Sequence, residues 1–231
     1  MRHARRLALA SNAMGRLNQL SLALHNYHDV YGVLPPAFIA DENGKPMHSW
    51  RVLILPYVDE RKLYDAYDFS EPWNGPSNAK LANRMPEIFH SHTEPPSTAN
   101  TNLVVVTGPG TAFPGAESTK FQDFVDGTEN TILITETSNS QIPWLAPFDL
   151  SVDEMSFRVN DWQTQGISSV AWRQPYITLA DGITAYAVDS KIRPAALKAL
   201  TTIAGREEIT QEQLLKDGHL HRRVQVDVPD R

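Results

Sequence analysis

The stretch SLALHNYHDVYGVLPP, residues Ser21–Pro36, closes an amphipathic helix and then stops it twice. Leu7, Ala10, Met14, Leu17, Leu20, Leu24, Tyr27 and Tyr31 recur at steps of three and four. That is one apolar stripe on a helix of about 25 residues, expected from about residue 4 to 31. Arg5, Arg16, Asn18, Gln19 and Asn26 occupy the other side. Gly32 is the expected C-terminal stop, and Pro35-Pro36 cannot continue the helix. At the other end Arg2, Arg5 and Arg6 oppose the macrodipole of a helix that begins beside them. Such a cluster suits a helix that extends upstream, or one whose first turn meets acidic lipid headgroups.

Beyond the helix, residues 48–69 carry an apolar rhythm compatible with a second helix, interrupted at Pro56, and a short helix is expected around Asn78–Met85. Residues 90–101 read as loop. The remainder reads mainly as strands: Asn102–Thr107, Thr131–Thr137, and two runs, Tyr176–Ala180 and Ile183–Val188, around Asp181-Gly182. The alternation in TILITET predicts a half-buried strand. The Asp-Gly pair predicts a tight hairpin with Gly182 at positive φ. Two short helices are expected over 195–204 and 207–216, and an edge strand or a loose tail after them. The fold class read from this order is α+β: a long N-terminal helix packed on an antiparallel β-sheet with large loop insertions. Three parts are expected, the helix over 1–33, a globular body over 34–205 and a C-terminal extension over 206–231.

The composition narrows the function classes. At 231 residues the chain is long enough for a substantial core, with 41% hydrophobic and 21% charged residues. Its formal net charge of −6 argues against a nucleic-acid partner. It has no cysteine, which removes disulfides, thiolate zinc sites and cysteine nucleophiles together. No apolar run reaches the roughly 18 residues of a membrane span. LALA near the start is too short for the core of a signal peptide.

Few residues suggest chemistry. His25 and His28 lie one helical turn apart, and His90/His92 and His219/His221 are spaced to share a side of an extended segment. Zinc needs three or four ligands, so none of these pairs makes a metal site alone. The glycine-rich stretch Gly108–Gly115 lacks the Lys-Ser/Thr ending of a phosphate loop. Glu136, Asp123, Asp126 and Asp181 are the carboxylates considered for acid–base work, but aspartate in Asp-Gly turns ordinarily serves backbone geometry. No cofactor is expected and no catalytic residue is assigned. The aromatic band Trp50, Tyr57, Tyr64, Tyr67, Phe69 and Trp73 reads first as core under the helix. Its alternative is a ligand platform, for which Trp50, Trp73 and Trp144 are the candidates.

Five stretches in order carry a resemblance: RRLALASNAMGRLNQLSLALHNYHDVYGVLPP, HSWRVLILPYVDERKLYDAYDFSEPWNGPSN, TNLVVVTGPGTAFPG, DGTENTILITET and ADGITAYAVDSKI. Over about residues 5–205 the chain resembles a Planctomycete-type family of unknown function whose members begin with a prepilin-type N-terminal domain. The resemblance implies the architecture of a type IV pilin or type II secretion pseudopilin. In those proteins half of a long helix is membrane-embedded and half rests on an antiparallel sheet. It further implies a non-enzymatic structural protein of the cell envelope or of a secretion apparatus, with protein partners or self-assembly through the N-terminal helix. Membrane anchoring would then require a segment upstream. The chain departs from the family pattern in three places. The prepilin segment is absent before the Arg-Arg stretch. The usual cysteine positions fall near Ala13 and Ser91. Ala171-Trp172-Arg173-Gln174 stands where a His-Pro-Gly-Gly stretch is common. The alternative function is a soluble extracytoplasmic module that binds a glycan or peptide through the aromatic band and the loops 90–115 and 138–160. A corollary of the pilin-like reading is that Leu7, Ala10, Met14 and Leu17 are more exposed in an isolated chain than Leu20, Leu24 and Tyr27.

Overall fold

The computed structural model describes residues 2–90, 99–170, 174–182 and 184–222; side chains are described from residue 8 onward. Helix α1 spans Arg2–Tyr31. It ends where the sequence demands: Gly32 takes φ 72° and its N–H donates to the His28 carbonyl at 2.7 Å. Ala10, Ala13, Leu17, Leu20, Ala23 and Leu24 form its buried side.

That side lies on a five-stranded sheet built from β4 (Leu103–Val104), β6 (Ile132–Glu136), β9 (Tyr176–Leu179), β10 (Ala185–Val188) and β11 (Leu220–His221). Its spatial order is β11-β10-β9-β6-β4, and every neighbouring pair is antiparallel. Successive residues alternate between two separate apolar layers. Leu103, Tyr176, Ala180, Ala185 and Ala187 face the layer that contains α1. Val104, Ile177, Leu179, Tyr186 and Val188 face a second layer, closed by α4 (Pro194–Ala199) and α5 (Gln211–Lys216) through Ala196, Leu197 and Leu214. The helix-facing side is rich in alanine, which lets the α1 backbone come close. The branched and aromatic residues fill the other side.

The sheet is thus covered on both faces, and this corrects the half-buried reading of TILITET. All five residues of β6 are buried, Glu136 included. The alternation is present, but Thr135 and Glu136 point into structure rather than water. A bulge between Ile132 and Ile134 places Leu133 and Ile134 together in the α1 layer.

Three further expectations need correction. Residues 48–69 do not form one helix. Strand β2 (Pro46–Ser49) pairs with β1 (Phe38–Ala40), then come α2 (Trp50–Leu53), a 3-10 turn over Leu55–Tyr57 and α3 (Arg61–Asp65). Pro56 lacks an N–H, and Asp59 at φ 62° turns the chain out of helical geometry. The run 102–107 is divided between β4 and β5 (Val106–Thr107), and β5 leaves the sheet to pair in parallel with β8 (Leu150–Ser151). Residues Asn100–Thr101 form β3, which pairs with β7 (Ile142–Pro143), inside what reads as loop.

The β9–β10 hairpin exists, but not with the tight turn expected. The last bonded pair is Thr178 with Ala185, and Gly182 is not at positive φ. The connection is long enough to turn without a left-handed glycine. Ser21 Oγ on α1 donates to the Gly182 carbonyl at 2.7 Å, so the loop is tied to the helix. Ile183 lies outside the described residues. Positive φ is found instead in the other two Asp-Gly pairs, at Gly127 (95°) and Gly218 (72°).

The expected exposure gradient along α1 is also overturned. Ala10 and Leu17 are as fully buried as Leu20 and Leu24, whereas Tyr31 is 58% exposed. Leu7 lies outside the described side chains. The helix expected over 207–216 is present as α5, and of the two readings for the stretch after it the edge strand is found as β11; together they close the second layer and the sheet edge. Residues 223–231 lie outside the described residues.

Candidate functional site

The tryptophans named from the sequence occupy different environments. Trp50 and Trp144 are fully buried, and Trp73 is half-buried. Phe89 lies between the first two, 6.3 Å from Trp50 and stacked at 5.9 Å on Trp144. Trp144 Nε1 donates to the Ala82 carbonyl at 2.9 Å. Trp73 stands edge-on to Phe148 and shares with Trp144 an apolar cleft of about 90 Å³. Trp50 and Trp144 present no face to solvent; Trp73 alone of the three offers a partly open one.

Trp50 belongs to a buried polar node built from the HSWR stretch. Ser49 caps α2, its Oγ accepting the Arg51 N–H. The Arg51 guanidinium then reaches Asp149, with Nη2 2.6 Å from Oδ1, and both side chains are removed from water. Asp149 also accepts from Trp50 Nε1 at 3.1 Å and from the Val105 N–H at 3.0 Å. Arg51 Nη2 donates further to the Leu103 carbonyl. Burial pushes the Asp149 carboxyl up and the Arg51 guanidinium down, while their mutual attraction opposes both shifts. Both terminal nitrogens of Arg51 are directed at the chain itself, while its buried Nε has no hydrogen-bond partner, and the node fastens α2 to β4 and to the loop before β8.

The histidines and carboxylates are dispersed in the same way. His25 and His28 both stack on Phe121, at 4.8 and 4.2 Å between ring centroids. Their Nε2 atoms are buried without a hydrogen-bond partner. Burial holds the His25 imidazole below its ordinary pKa. Among the described residues no group of three or more His, Asp or Glu side chains could hold a metal. His92 lies outside those residues. Asp123 accepts the Lys120 N–H, and Asp126 accepts the N–H groups of Gly205 and Arg206. Glu136 accepts the Tyr176 N–H at 3.0 Å. Asp181 is exposed, and partial desolvation of its carboxyl raises its pKa. Each of these carboxylates other than Asp181 thus serves a backbone amide. The Gly108–Gly115 stretch is a turn leaving β5, in which Thr111 N–H donates to the Gly108 carbonyl.

One site is anticipated by the sequence only in part: the loop 138–160 reads as a binding segment, but residues 161–168, Trp162 among them, do not. Segments 138–141 and 160–168 face each other across an open cleft of about 130 Å³. Its walls are cross-tied. Ser168 Oγ meets the Ser138 N–H at 3.0 Å, and Ser138 Oγ accepts the Val170 N–H at 2.8 Å. Thr137 Oγ1 donates to the Gly166 carbonyl at 2.8 Å. Among the described residues five non-glycine residues have positive φ; Asn139, Gln141 and Asn160 are three of them, and they flank this cleft. Gly166 is obligatory here, since a Cβ would lie 2.5 Å from the Ser156 carbonyl oxygen. Trp162 stands on the rim, 60% exposed. Beside it, the Asp161 carboxylate accepts from Ser156 Oγ at 2.7 Å and from the Gln163 N–H at 3.1 Å. The Ser156 hydroxyl holds the Asp161 carboxyl below the usual carboxylate range. A signal was present in VNDWQTQG: a tryptophan with only polar residues on either side has no neighbour in sequence to help bury it.

Residues 2–108 match the model of a family described as "Protein of unknown function (DUF1559)". The match runs from α1 through β5, a little under half of the chain. The DUF1559 match takes in Ser49, Trp50 and Arg51 but neither Asp149 nor the cleft. No curated protein and no solved structure matches the chain.

Proposed function

We propose that this protein is a non-enzymatic, pseudopilin-like structural or assembly subunit of the cell envelope or of a secretion apparatus. The observation that carries this reading is the single N-terminal helix of 30 residues laid along one face of an antiparallel sheet. Two more observations support it. Leu22, Val30 and Tyr31 are exposed apolar residues on α1, available to a neighbouring subunit. The carboxylates described above, apart from Asp181, are committed to backbone amides. No helix among the described residues is long and apolar enough to cross a membrane, so anchoring in the envelope would have to come from elsewhere. The absence of cysteine makes a clean test possible. Single variants Leu22→Cys and Val30→Cys, produced in the native host and treated with a bifunctional maleimide, should give discrete cross-linked species containing this chain. Monomer alone from both positions would reject assembly through α1.

A second reading, a soluble extracytoplasmic module that binds a glycan or peptide, is favoured by the burial of Ala10 and Leu17. A helix already occupied by its own sheet from residue 10 onward leaves little of its apolar stripe for partners. This reading expects a monomer and a ligand-binding surface away from α1.

A further inference from the structure

We propose that the cleft between segments 138–141 and 160–168 is a binding site for a neutral oligosaccharide, with Trp162 as its stacking platform. The proposal rests on the binding-module reading and gives it a place and a ligand class.

The cleft combines three features that a ligand site needs and a structural loop does not. The first is the exposed indole. Trp50 and Trp144 are wholly buried with their Nε1–H groups bonded, whereas Trp162 keeps 60% of its surface in water. An indole gains from removing apolar area from water, and an exposed one on a rigid rim leaves that gain to a ligand. The second is pre-organisation. The cross-strapping of the two segments, the three left-handed backbones and the close fit of Gly166 fix the walls before any ligand arrives, which lowers the ordering cost of binding. The third is the polar complement. The Gln163 and Thr164 side chains line the cleft without a hydrogen-bond partner among the described residues, and Asp161 supplies a fixed carboxylate acceptor.

The ligand class follows from what lines the walls. Among the described residues no lysine or arginine does, the single charge of the lining is negative, and Arg158, whose charge reaches Asp161, stands outside the lining, so phosphate, sulfate and carboxylate ligands find no counter-charge on these walls. A nucleic acid would meet the same obstacle at its backbone. One carboxylate is too few ligands for a calcium or magnesium site. Among the described residues Trp162 is the sole large apolar side chain of the lining, so an apolar peptide side chain finds no pocket formed by them. At about 130 Å³ the cleft is also smaller than the roughly 300–1,000 Å³ that enclose a free small molecule. A sugar chain meets each condition: its C–H face lies on an indole, its hydroxyls bond amides and carboxylates, and it needs to seat only part of its length.

The test uses the full chain on an immobilised array of neutral oligosaccharides (glucans, mannans, xylans, galactans and N-acetylhexosamine oligomers), with sulfated and uronic-acid oligosaccharides as separate arms. At least one neutral glycan should bind. Trp162→Ala should weaken that binding at least tenfold and Trp162→Phe less, with melting temperature unchanged in both because the side chain is exposed. In solution the bound glycan should shield tryptophan emission from acrylamide, and this shielding should vanish in Trp162→Phe. Binding that survives Trp162→Ala undiminished would reject this site while leaving a binding module in place. A preference for the acidic arms would reject the ligand class. Failure of every neutral glycan would reject the site and its ligand together, whatever the cross-linking from α1 shows.

Discussion

Arg51 and Asp149 show how little a buried charge says about function until its partners are counted. Each is withdrawn from water, yet the carboxylate receives N–H groups from Arg51, Trp50 and Val105, and nothing remains to engage a substrate. Removing one partner leaves the other charge buried alone, so Asp149→Ala should cost about 3–5 kcal/mol, read from urea unfolding. Replacing Arg51 and Asp149 together by methionine and leucine should recover much of that loss; an additive double variant would contradict the pairing. Histidines set the acid limit. Burial depresses the pKa of both His25 and His48. The unfolded chain therefore takes up protons first, near the ordinary value of about 6.5. The stability that comes from keeping these rings neutral is complete above about pH 7 and is lost as pH falls through that value and below. Melting temperature should follow the same course, and His25→Gln should flatten part of the decline. At Gly182 the structure reverses the sequence-based expectation. Its φ is ordinary and a Cβ there meets nothing within 4 Å, so Gly182→Ala should shift stability by no more than about 0.5 kcal/mol. A loss above about 1 kcal/mol would restore the tight-turn reading.

Among the elements, those with a strong internal period were legible and those assembled from distant partners were not. Helix α1 announced itself through its stripe and its Gly32 stop, and β9 and β10 through the apolar runs on either side of Asp181-Gly182. The segment 48–69 misled because its apolar residues serve a short strand and two short helices in turn. Strand β6 misled because the period of two remains when both faces are buried. The pairings of β3 with β7 and of β5 with β8 involve two residues each, too few to leave a pattern. The cleft was legible only as the loop 138–160, since its second wall, 161–168, carries no periodic pattern and only Trp162 hints at an unburied purpose. The contact between α1 and its sheet can be probed from both sides. Leu17→Ala removes a fully buried side chain and should cost about 2–5 kcal/mol. Ala187→Leu overfills the closely packed side and should cost about 1–3 kcal/mol, measured in the same unfolding experiment.

For the whole molecule, the two apolar layers on either side of one sheet predict a single cooperative unit. Amide exchange should be slow from about Ala10 to Leu24 and through β6, β9 and β10 alike, and rapid exchange confined to residues 10–17 would revive a free half-helix. The tie between Ser21 and Gly182 spans 161 positions of chain. Helix α1 leaves the ribosome long before β9 and β10, two of the strands it rests on. At translation rates of roughly 5–20 residues per second the interval is on the order of ten to thirty seconds. Throughout that time the apolar side of α1 has only earlier segments such as Leu55–Tyr57 and Glu87–Phe89 to cover it, and lacks β9 and β10. Nascent chains of this protein should therefore depend on a holding chaperone, and truncation before residue 176 should yield aggregates instead of a smaller folded domain.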